Sequence, residues 1–246
     1  MAAVSLRFVG SGDAFSSGGR FQACLHLDGG DEPVLIDCGA TSLAALKRQD
    51  IDPASIGWLA ISHLHGDHFG GIPWLVLDGQ FAGRNRALTI GGPPGVEQRV
   101  NAAFEALYPG ATAAERAFSI RFVELGEQEA TTLGPASVTA FRVVHGGGAP
   151  AYALRIEYAG KVIAYSGDTE WTDALIHAAQ GADLFVCECN FFDKEVPGHL
   201  NYRTLADRRE LLGCQRLVIT HMSDEMLAHL DEVEVETASD GAVIEL

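Results

Sequence analysis

The segment that most constrains what this chain can fold into is a short histidine-rich run, His63-Leu64-His65-Gly66-Asp67-His68. In an extended segment, residues two apart point to the same side, so His63 and His65 can present both imidazoles to one point. Asp67 and His68 follow where the chain turns towards a helix, and they can reach a second point nearby. Imidazole and carboxylate donors suit zinc, iron or manganese. The run therefore predicts ligands for two adjacent metal ions.

The residues that flank this run indicate a junction between a strand and a helix. The apolar stretch Trp58 to Ile61 is typical of a buried strand, and Phe69-Gly70-Gly71-Ile72-Pro73 predicts the start of an apolar helix. Active sites of α/β folds commonly lie at the ends of strands that lead into helices. A histidine-rich surface turn without a metal is the alternative, and this context favours a metal site.

Length and composition indicate a globular chain. With 246 residues, 47% of them hydrophobic and 20% charged, it can bury a substantial core. No apolar run reaches the length of about 18 residues that a membrane span needs, and the N-terminus is typical of a strand rather than a signal peptide. The five cysteines form no paired framework, and four lie in or beside apolar runs. This usage favours core packing and a cytoplasmic, reducing location.

The formal charge of −16 restricts the partners that we expect. Proteins that bind nucleic acid need a basic surface to displace counterions from the phosphates. Bound divalent ions would offset only part of the negative charge. A long polynucleotide is therefore disfavoured as a substrate, whereas a small molecule is not. Acidity that serves only solubility is the alternative interpretation.

Hydrophobic patterning predicts one αββα domain over residues 1–246. Each half of the chain begins with successive strands and ends with strands that alternate with helices. Two mixed sheets packed face to face, with helices outside, form a four-layer α/β sandwich that fits this order. The expected helices include 42–49 with Thr41 as its N-cap, 71–81, 202–212 and 223–230.

Two metal ions need about seven or eight protein donors, since each commonly takes about four, and the histidine-rich run supplies only part of them. The other candidates follow predicted strands, where side chains project from a rigid sheet. His145 follows the strand 138–144, Asp168 follows 161–165 and His221 follows 217–220. Each alone would be a buried polar group or a helix cap. Their shared position at strand ends predicts that they complete the metal site.

These residues together resemble the metal site of the metallo-β-lactamase-fold hydrolases. The resemblance extends from Gly10-Ser11-Gly12-Asp13 to His221. Within that superfamily the chain is most similar to the branch of ribonuclease Z and the small phosphodiesterases. The segments that carry this similarity are Leu35-Ile36-Asp37-Cys38-Gly39, Ser166-Gly167-Asp168-Thr169, Asp183 to Phe191 and Gly198-His199.

The resemblance implies a set of metal ligands and two divalent ions, zinc in the first place with manganese or iron as alternatives. One ion would be held by His63, His65 and His145. The other would be held by Asp67, His68 and His221, and Asp168 would bridge the two.

The resemblance also implies catalytic and orienting residues. His199 would protonate the leaving oxygen, oriented by Glu188, and Asp67 would count among the catalytic residues as well as the ligands. Asp37 would orient ligands from behind. The alternatives are a surface-loop histidine at position 199 and a turn cap at position 37.

Two departures from ribonuclease Z affect the expected function. That enzyme carries a long tRNA-gripping arm between the positions of His145 and Asp168, where this chain has only 22 residues. Leu200-Asn201 stands where the family usually has a hydroxyl residue after the histidine. The residues therefore favour an arm-less phosphodiesterase that acts on a small or cyclic phosphodiester through a water shared by the two metals.

Several alternatives stay open at this point. The same metal pair can hydrolyse a lactone, an ester or a thioester, although such a reaction does not need His199. A tRNA 3′-processing endonuclease, a mononuclear-iron persulfide dioxygenase and a metal-free binding module are less favoured. We expect a small-molecule substrate, no membrane contact and a possible homodimer.

Overall fold

Two seven-stranded mixed sheets form the centre of the computed structural model, which describes residues 3–246. The strands of the first sheet are β1 (Ser5–Gly10), β2 (Cys24–Asp28), β3 (Val34–Ile36), β4 (Trp58–Ala60), β5 (Leu88–Gly92), β6 (Ile120–Glu124) and β14 (Val243–Glu245). Those of the second are β7 (Ala130–Leu133), β8 (Ala136–Arg142), β9 (Tyr152–Tyr158), β10 (Lys161–Tyr165), β11 (Leu184–Glu188), β12 (Leu217–Thr220) and β13 (Glu236–Thr237).

The two sheets have the same internal plan. The first has the order β14-β1-β2-β3-β4-β5-β6, and the second β13-β12-β11-β10-β9-β8-β7. In the first, β14 to β3 pair antiparallel and β3 to β6 pair parallel. In the second, β7 to β10 pair antiparallel and β10 to β13 pair parallel. This arrangement brings the carboxyl ends of several parallel strands to one edge of each sheet.

Helices cover the outer faces of both sheets. They are α1 (Ser42–Arg48), α2 (Gly66–Phe69), α3 (Ile72–Phe81), α4 (Val96–Leu107), α5 (Asp173–Ala179), α6 (Tyr202–Arg208) and α7 (Asp224–Leu227). A buried apolar cluster that includes Leu6, Ile156 and Val186 fills the space between the sheets. A second cluster lies under α1, α3 and α4, and a third under α5, α6 and α7. The predicted four-layer αββα fold is confirmed.

Several predicted helix boundaries differ from the structure. The predicted helix 71–81 is α3, but a separate short helix, α2, precedes it. The predicted helix 202–212 is α6 followed by a turn of 3₁₀ helix at Arg209–Leu211, and 223–230 shortens to α7. Thr41 occupies the predicted N-cap position of α1, but its side chain does not cap the helix. The residue has helical backbone angles, and its Oγ1 accepts a hydrogen bond from the backbone N–H of Gln22 at 2.8 Å.

The chain between His145 and Asp168 forms the strand pair β9–β10, which continues the second sheet. Tyr158 pairs with Lys161 across a tight turn at residues 159–160. The described chain therefore has no inserted arm at this position. No helix among residues 3–246 is long and apolar enough to cross a membrane.

Candidate metal centre

The first donor cluster contains three histidines from both sheets. His63 and His65 follow β4, and His145 comes from the second sheet, after β8. The donor atoms of these three side chains lie within 4.8 Å of one another. The Nδ1 atom of His65 lies 3.0 Å from Nε2 of His145. His63 is buried, whereas His65 and His145 are partly exposed, so this cluster faces the mouth of the site.

The second donor cluster is fully buried and also joins the two sheets. It comprises Asp67 and His68 from α2, Asp168 after β10 and His221 after β12, with donor atoms within 4.8 Å of one another. Oδ2 of Asp67 lies 3.2 Å from Nε2 of both His68 and His221. The predicted separation of His63 and His65 from Asp67 and His68 into two groups matches this geometry.

Asp168 lies between the two clusters. Its Oδ1 is 3.2 Å from Nε2 of His68 and 3.4 Å from Nε2 of His221, in the second cluster. Its Oδ2 is 3.8 Å from Nε2 of His63 and 3.9 Å from Nε2 of His145, in the first. One carboxylate therefore presents one oxygen to each cluster.

Some polar atoms of the clusters have no hydrogen-bond partner within the described part of the chain, and bound cations would provide a partner. Nε2 of His63 and Oδ1 of Asp168 are buried and form no hydrogen bond with any of residues 3–246. Unpaired buried polar atoms are costly, and a bound ion is one of the features that account for them in native proteins. The donors are imidazole nitrogens and carboxylate oxygens, which zinc, manganese and iron accept. The cluster is thus capable of holding divalent metal ions.

Nδ1 of His68, the ring nitrogen that points away from the cluster, is hydrogen-bonded to Asp37. Oδ2 of Asp37 lies 2.6 Å from Nδ1 of His68. The same carboxylate accepts hydrogen bonds from the backbone N–H and the Oγ of Ser62, both at 2.8 Å. Its position leaves Nε2 of His68 as the atom that faces the cluster. This contact fits the orienting role expected for Asp37, since such contacts increase the basicity of metal-binding histidines.

His145 has an orienting partner of its own, and His221 contacts a neighbouring amide group. Nδ1 of His145 lies 2.7 Å from the carbonyl oxygen of Gly198, and Nδ1 of His221 lies 3.1 Å from Nδ2 of Asn190. Sequence reasoning missed the contact with Asn190. This residue follows β11 as the ligand candidates follow their strands, so the strand-end rule could have found it.

His199 and Glu188 form a pair beside the clusters. Nδ1 of His199 lies 3.1 Å from Oε1 of Glu188, and donor atoms of His145, Asp168 and His199 lie within 4.8 Å of one another. Glu188 is fully buried and also accepts a backbone hydrogen bond from Thr169 at 2.6 Å. His199 is partly exposed. The structure thus brings together all nine side chains that the sequence singled out for ligation and catalysis.

The carboxylates of the second cluster favour positive charge there. The Glu188 carboxylate likewise favours a proton on His199. Burial lowers the pKa of His221, but the Asp168 and Asp67 carboxylates outweigh it and raise the pKa to about 9. Burial likewise opposes protonation of His199, yet the hydrogen bond and charge of Glu188 raise its pKa. Burial raises the pKa of Glu188. Since the two groups are in contact, they titrate as a pair.

The sequence profile of the family described as "Anti-Pycsar protein Apyc1" matches residues 4–238, which is nearly the whole chain. The chain belongs to the Apyc1 family. Ribonuclease Z of Agathobacter rectalis is similar to this Apyc1-family chain, with 28% identity over 85% of the chain and 84% of the relative.

Two further relatives share the fold over almost their whole length. The metallo-β-lactamase-fold protein YhfI of Bacillus subtilis, itself described as a probable metallo-hydrolase, superposes with a TM-score of 0.80 at 23% identity, covering 99% of this chain and 100% of its own. The short form of human tRNase Z superposes with a TM-score of 0.79 at 25% identity, covering 98% of both chains. The Apyc1-family chain is therefore a metallo-hydrolase of the metallo-β-lactamase fold, as its sequence predicts.

Proposed function

We propose that this protein is a dinuclear metal-dependent phosphodiesterase that acts on a small or cyclic phosphodiester. The observation that carries the proposal is the position of the His199–Glu188 pair, next to two donor clusters that share Asp168. A phosphodiester needs its charged oxygens neutralised and its leaving oxygen protonated. The two clusters and the pair provide for both needs.

Each donor cluster would hold one metal ion. His63, His65 and His145 would hold one ion, Asp67, His68 and His221 the other, and Asp168 both. Two divalent ions, zinc in the first place, would supply Lewis-acid stabilisation of the phosphoryl oxygens and a nucleophile at neutral pH. The Asp37 carboxylate fixes the ring of His68 and the Gly198 carbonyl fixes the ring of His145, so these donor atoms need little rearrangement when ions bind.

His199 acts as the proton donor in this proposal. Its Nδ1 faces Glu188 at 3.1 Å, so its Nε2 is the atom available to the substrate. The raised pKa of His199, caused by Glu188 against the effect of burial, keeps a proton on the ring near neutral pH. The imidazolium gives this proton to the departing alkoxide, and Glu188 stabilises the charge that the ring carries before the transfer.

We infer a small substrate rather than a long RNA. The negative net charge disfavours a polynucleotide, and the β9–β10 strand pair occupies the position where ribonuclease Z has its arm. Homodimer formation and a cytoplasmic location stay predictions. Sedimentation velocity on the purified protein tests the first of them.

The test compares two phosphodiesters that differ in the acidity of the leaving group. Bis(4-nitrophenyl) phosphate releases nitrophenolate, which needs little protonation, whereas a nucleoside 3′,5′-cyclic phosphate releases an alkoxide, which needs much. Each is assayed with zinc, with manganese and without metal. The variants are Asp168→Ala, His199→Ala and, as a matched control, the exposed His177→Ala on α5.

We expect metal-dependent turnover that collapses in Asp168→Ala with both substrates. His199→Ala should slow cleavage of the cyclic phosphate by about 10²–10⁴-fold, the usual contribution of a general acid, and cleavage of the nitrophenyl ester far less. His177→Ala should match the parent. A protein that binds two ions but cleaves neither substrate would refute the proposal, and turnover of lactones or thioesters would then identify the alternative.

A further inference from the structure

A groove with a volume of ≈450 Å³ opens beside His199. Its walls come from the residues that follow β10, from the 195–200 loop and from α6. The lining residues that matter here are Glu170, Trp171, Val196, His199, Asn201 and Arg208. The volume falls in the range of small-molecule sites, about 300–1,000 Å³. We name this cavity the His199 groove.

We infer that the His199 groove binds the leaving-group half of the substrate and that Trp171 stacks on an aromatic ring in that half. The inference rests on the proposed function, because it takes His199 as the proton donor. It adds a specificity determinant, Trp171 with Arg208, and a substrate feature, a planar ring carried by the leaving alcohol.

The position of the proton donor determines which cavity receives the leaving group. A general acid must lie about 2.6–3.2 Å from the oxygen that it protonates. The substituent on that oxygen therefore begins at His199, which forms part of the groove wall. A separate cavity of ≈380 Å³ is lined by Leu64, Arg99 and Gly147 and lies on the side of His65. It does not include His199, so it is not placed to receive the leaving group.

The chemistry of the groove suits a flat aromatic ring. Trp171 is half-buried and lines the groove, and the guanidinium carbon of Arg208 lies 5.3 Å from the centroid of the Trp171 ring. Indole and guanidinium groups both present planar surfaces on which nucleobases and other aromatic rings stack.

Hydrogen bonds fix the wall of the His199 groove relative to His199 and Glu188. Oε2 of Glu170, next to Trp171, accepts a hydrogen bond from the backbone N–H of Gly198, next to His199, at 3.2 Å. Oδ1 of Asn201 accepts one from the backbone N–H of Thr204 at 2.9 Å and so fixes the start of α6. A preformed wall reduces the ordering cost of binding.

The test uses two substrates with the same leaving alkoxide. One is a nucleoside 3′,5′-cyclic phosphate, and the other is the same ribose cyclic phosphate with hydrogen in place of the base. The variants are Trp171→Leu, Trp171→Phe, which keeps a ring, and Trp74→Leu on α3 as a control away from the groove. Binding of the nucleoside monophosphate product gives a second readout.

We expect Trp171→Leu to lower kcat/KM for the nucleotide about tenfold, as removal of a stacking partner does, and to weaken product binding alike. The base-less substrate should be unaffected, and Trp171→Phe should recover most of the loss. If Trp171→Leu does not fold, Arg208→Ser should lower kcat/KM for the nucleotide alone by about two- to fivefold.

Three results would overturn the inference. An equal loss on both substrates would mean that Trp171 only supports the fold. An unchanged preference for the nucleotide would place its base elsewhere while leaving the phosphodiesterase proposal intact. Absence of any phosphodiester cleavage by the parent protein would remove the proposed function and this inference with it.

Discussion

Two residues of the centre adopt a backbone conformation that side chains rarely tolerate. Asp37 has φ 58° and His221 has φ 60°, and both follow buried strands. Left-handed backbone costs non-glycine residues roughly 1–2 kcal/mol. At these positions the cost is offset by contacts, since Asp37 reaches His68 and Ser62 and His221 reaches Asn190. Both conformations turn a side chain from a strand end towards the clusters.

The role of Asp37 leads to a prediction about metal affinity. Asp37→Asn keeps the shape of the side chain, and asparagine tolerates the left-handed conformation, but the charge beside Nδ1 of His68 is lost. We expect the affinity of the second cluster for zinc to fall about 10–100-fold, as for other residues that orient metal ligands. Competition with a fluorescent chelator measures the change. Asp183→Asn is the control. It alters a hydrogen bond with Val162 near the start of β10, away from the clusters, and should leave the zinc affinity unchanged.

Part of the candidate centre was predictable from single residues. The spacing of His63, His65, Asp67 and His68 is a local property, so the sequence alone was enough to separate them into two groups. The contacts of Asn190 with His221 and of Glu170 with Gly198 depend on how loops from different strands meet. The strand-end rule could have pointed to Asn190 but not to the residue that it contacts, and both contacts were missed.

At the scale of elements, strands were predicted better than helix ends. Apolar runs bounded by turns predicted β10 and β12 to the residue. Helix ends depend on capping contacts that tertiary structure can redirect, as at Thr41, whose hydroxyl accepts from Gln22 rather than from its own helix. The two-residue strand β13 has no periodicity of its own and exists only because β12 pairs with it.

The strands also determine the reactivity of the cysteines. Cys24, Cys38, Cys187 and Cys189 are buried, and burial raises the pKa of the Cys38 thiol to about 12. Cys214 is partly exposed. We therefore expect a maleimide at pH 8 to label only Cys214 in the native protein, because the others have neither access nor thiolate.

Mass spectrometry of the native and the denatured protein checks this expectation. Denaturation should make all five thiols reactive, and Cys214→Ser should abolish labelling of the native protein. Rapid labelling of Cys187, in β11, or of Cys189, which follows it, would contradict the burial of these two thiols.

At the scale of the whole molecule, the net charge of −16 should act on the approach of an anionic substrate. Repulsion between like charges slows encounter, and the Debye length shrinks from about 30 Å at 0.01 M salt to about 8 Å at 0.15 M. We expect kcat/KM for bis(4-nitrophenyl) phosphate to rise over this range at saturating metal. The rate kcat should stay constant, because it concerns substrate already bound.

A fall of kcat/KM with added salt would contradict this expectation. It would mean that the local field at the mouth attracts anions despite the net charge of the chain. A neutral ester, if hydrolysed, provides the control, since its encounter rate does not depend on ionic strength.

Both donor clusters combine side chains from the two sheets, and this affects stability. We propose that residues 1–246 unfold as one unit and that bound metal stabilises it. A ligand that binds only the folded state adds about 2.7 kcal/mol at a concentration 100 times its Kd. Thermal unfolding with zinc and with a chelator measures the shift, and Asp168→Ala should lose most of it. Two separate transitions would contradict the single unit.

Each donor cluster combines residues of the second sheet (His145, Asp168 and His221) with residues that follow β4 of the first sheet. This arrangement affects how the protein should be produced. Metal ions bound at this centre would link the two sheets. The supply of metal during expression should therefore determine the yield of folded protein. Cells grown in zinc-depleted medium should give less intact protein, and chelating buffers or nickel columns should alter the preparation itself. Samples with different purification histories would then differ in resistance to proteases before any assay of activity begins.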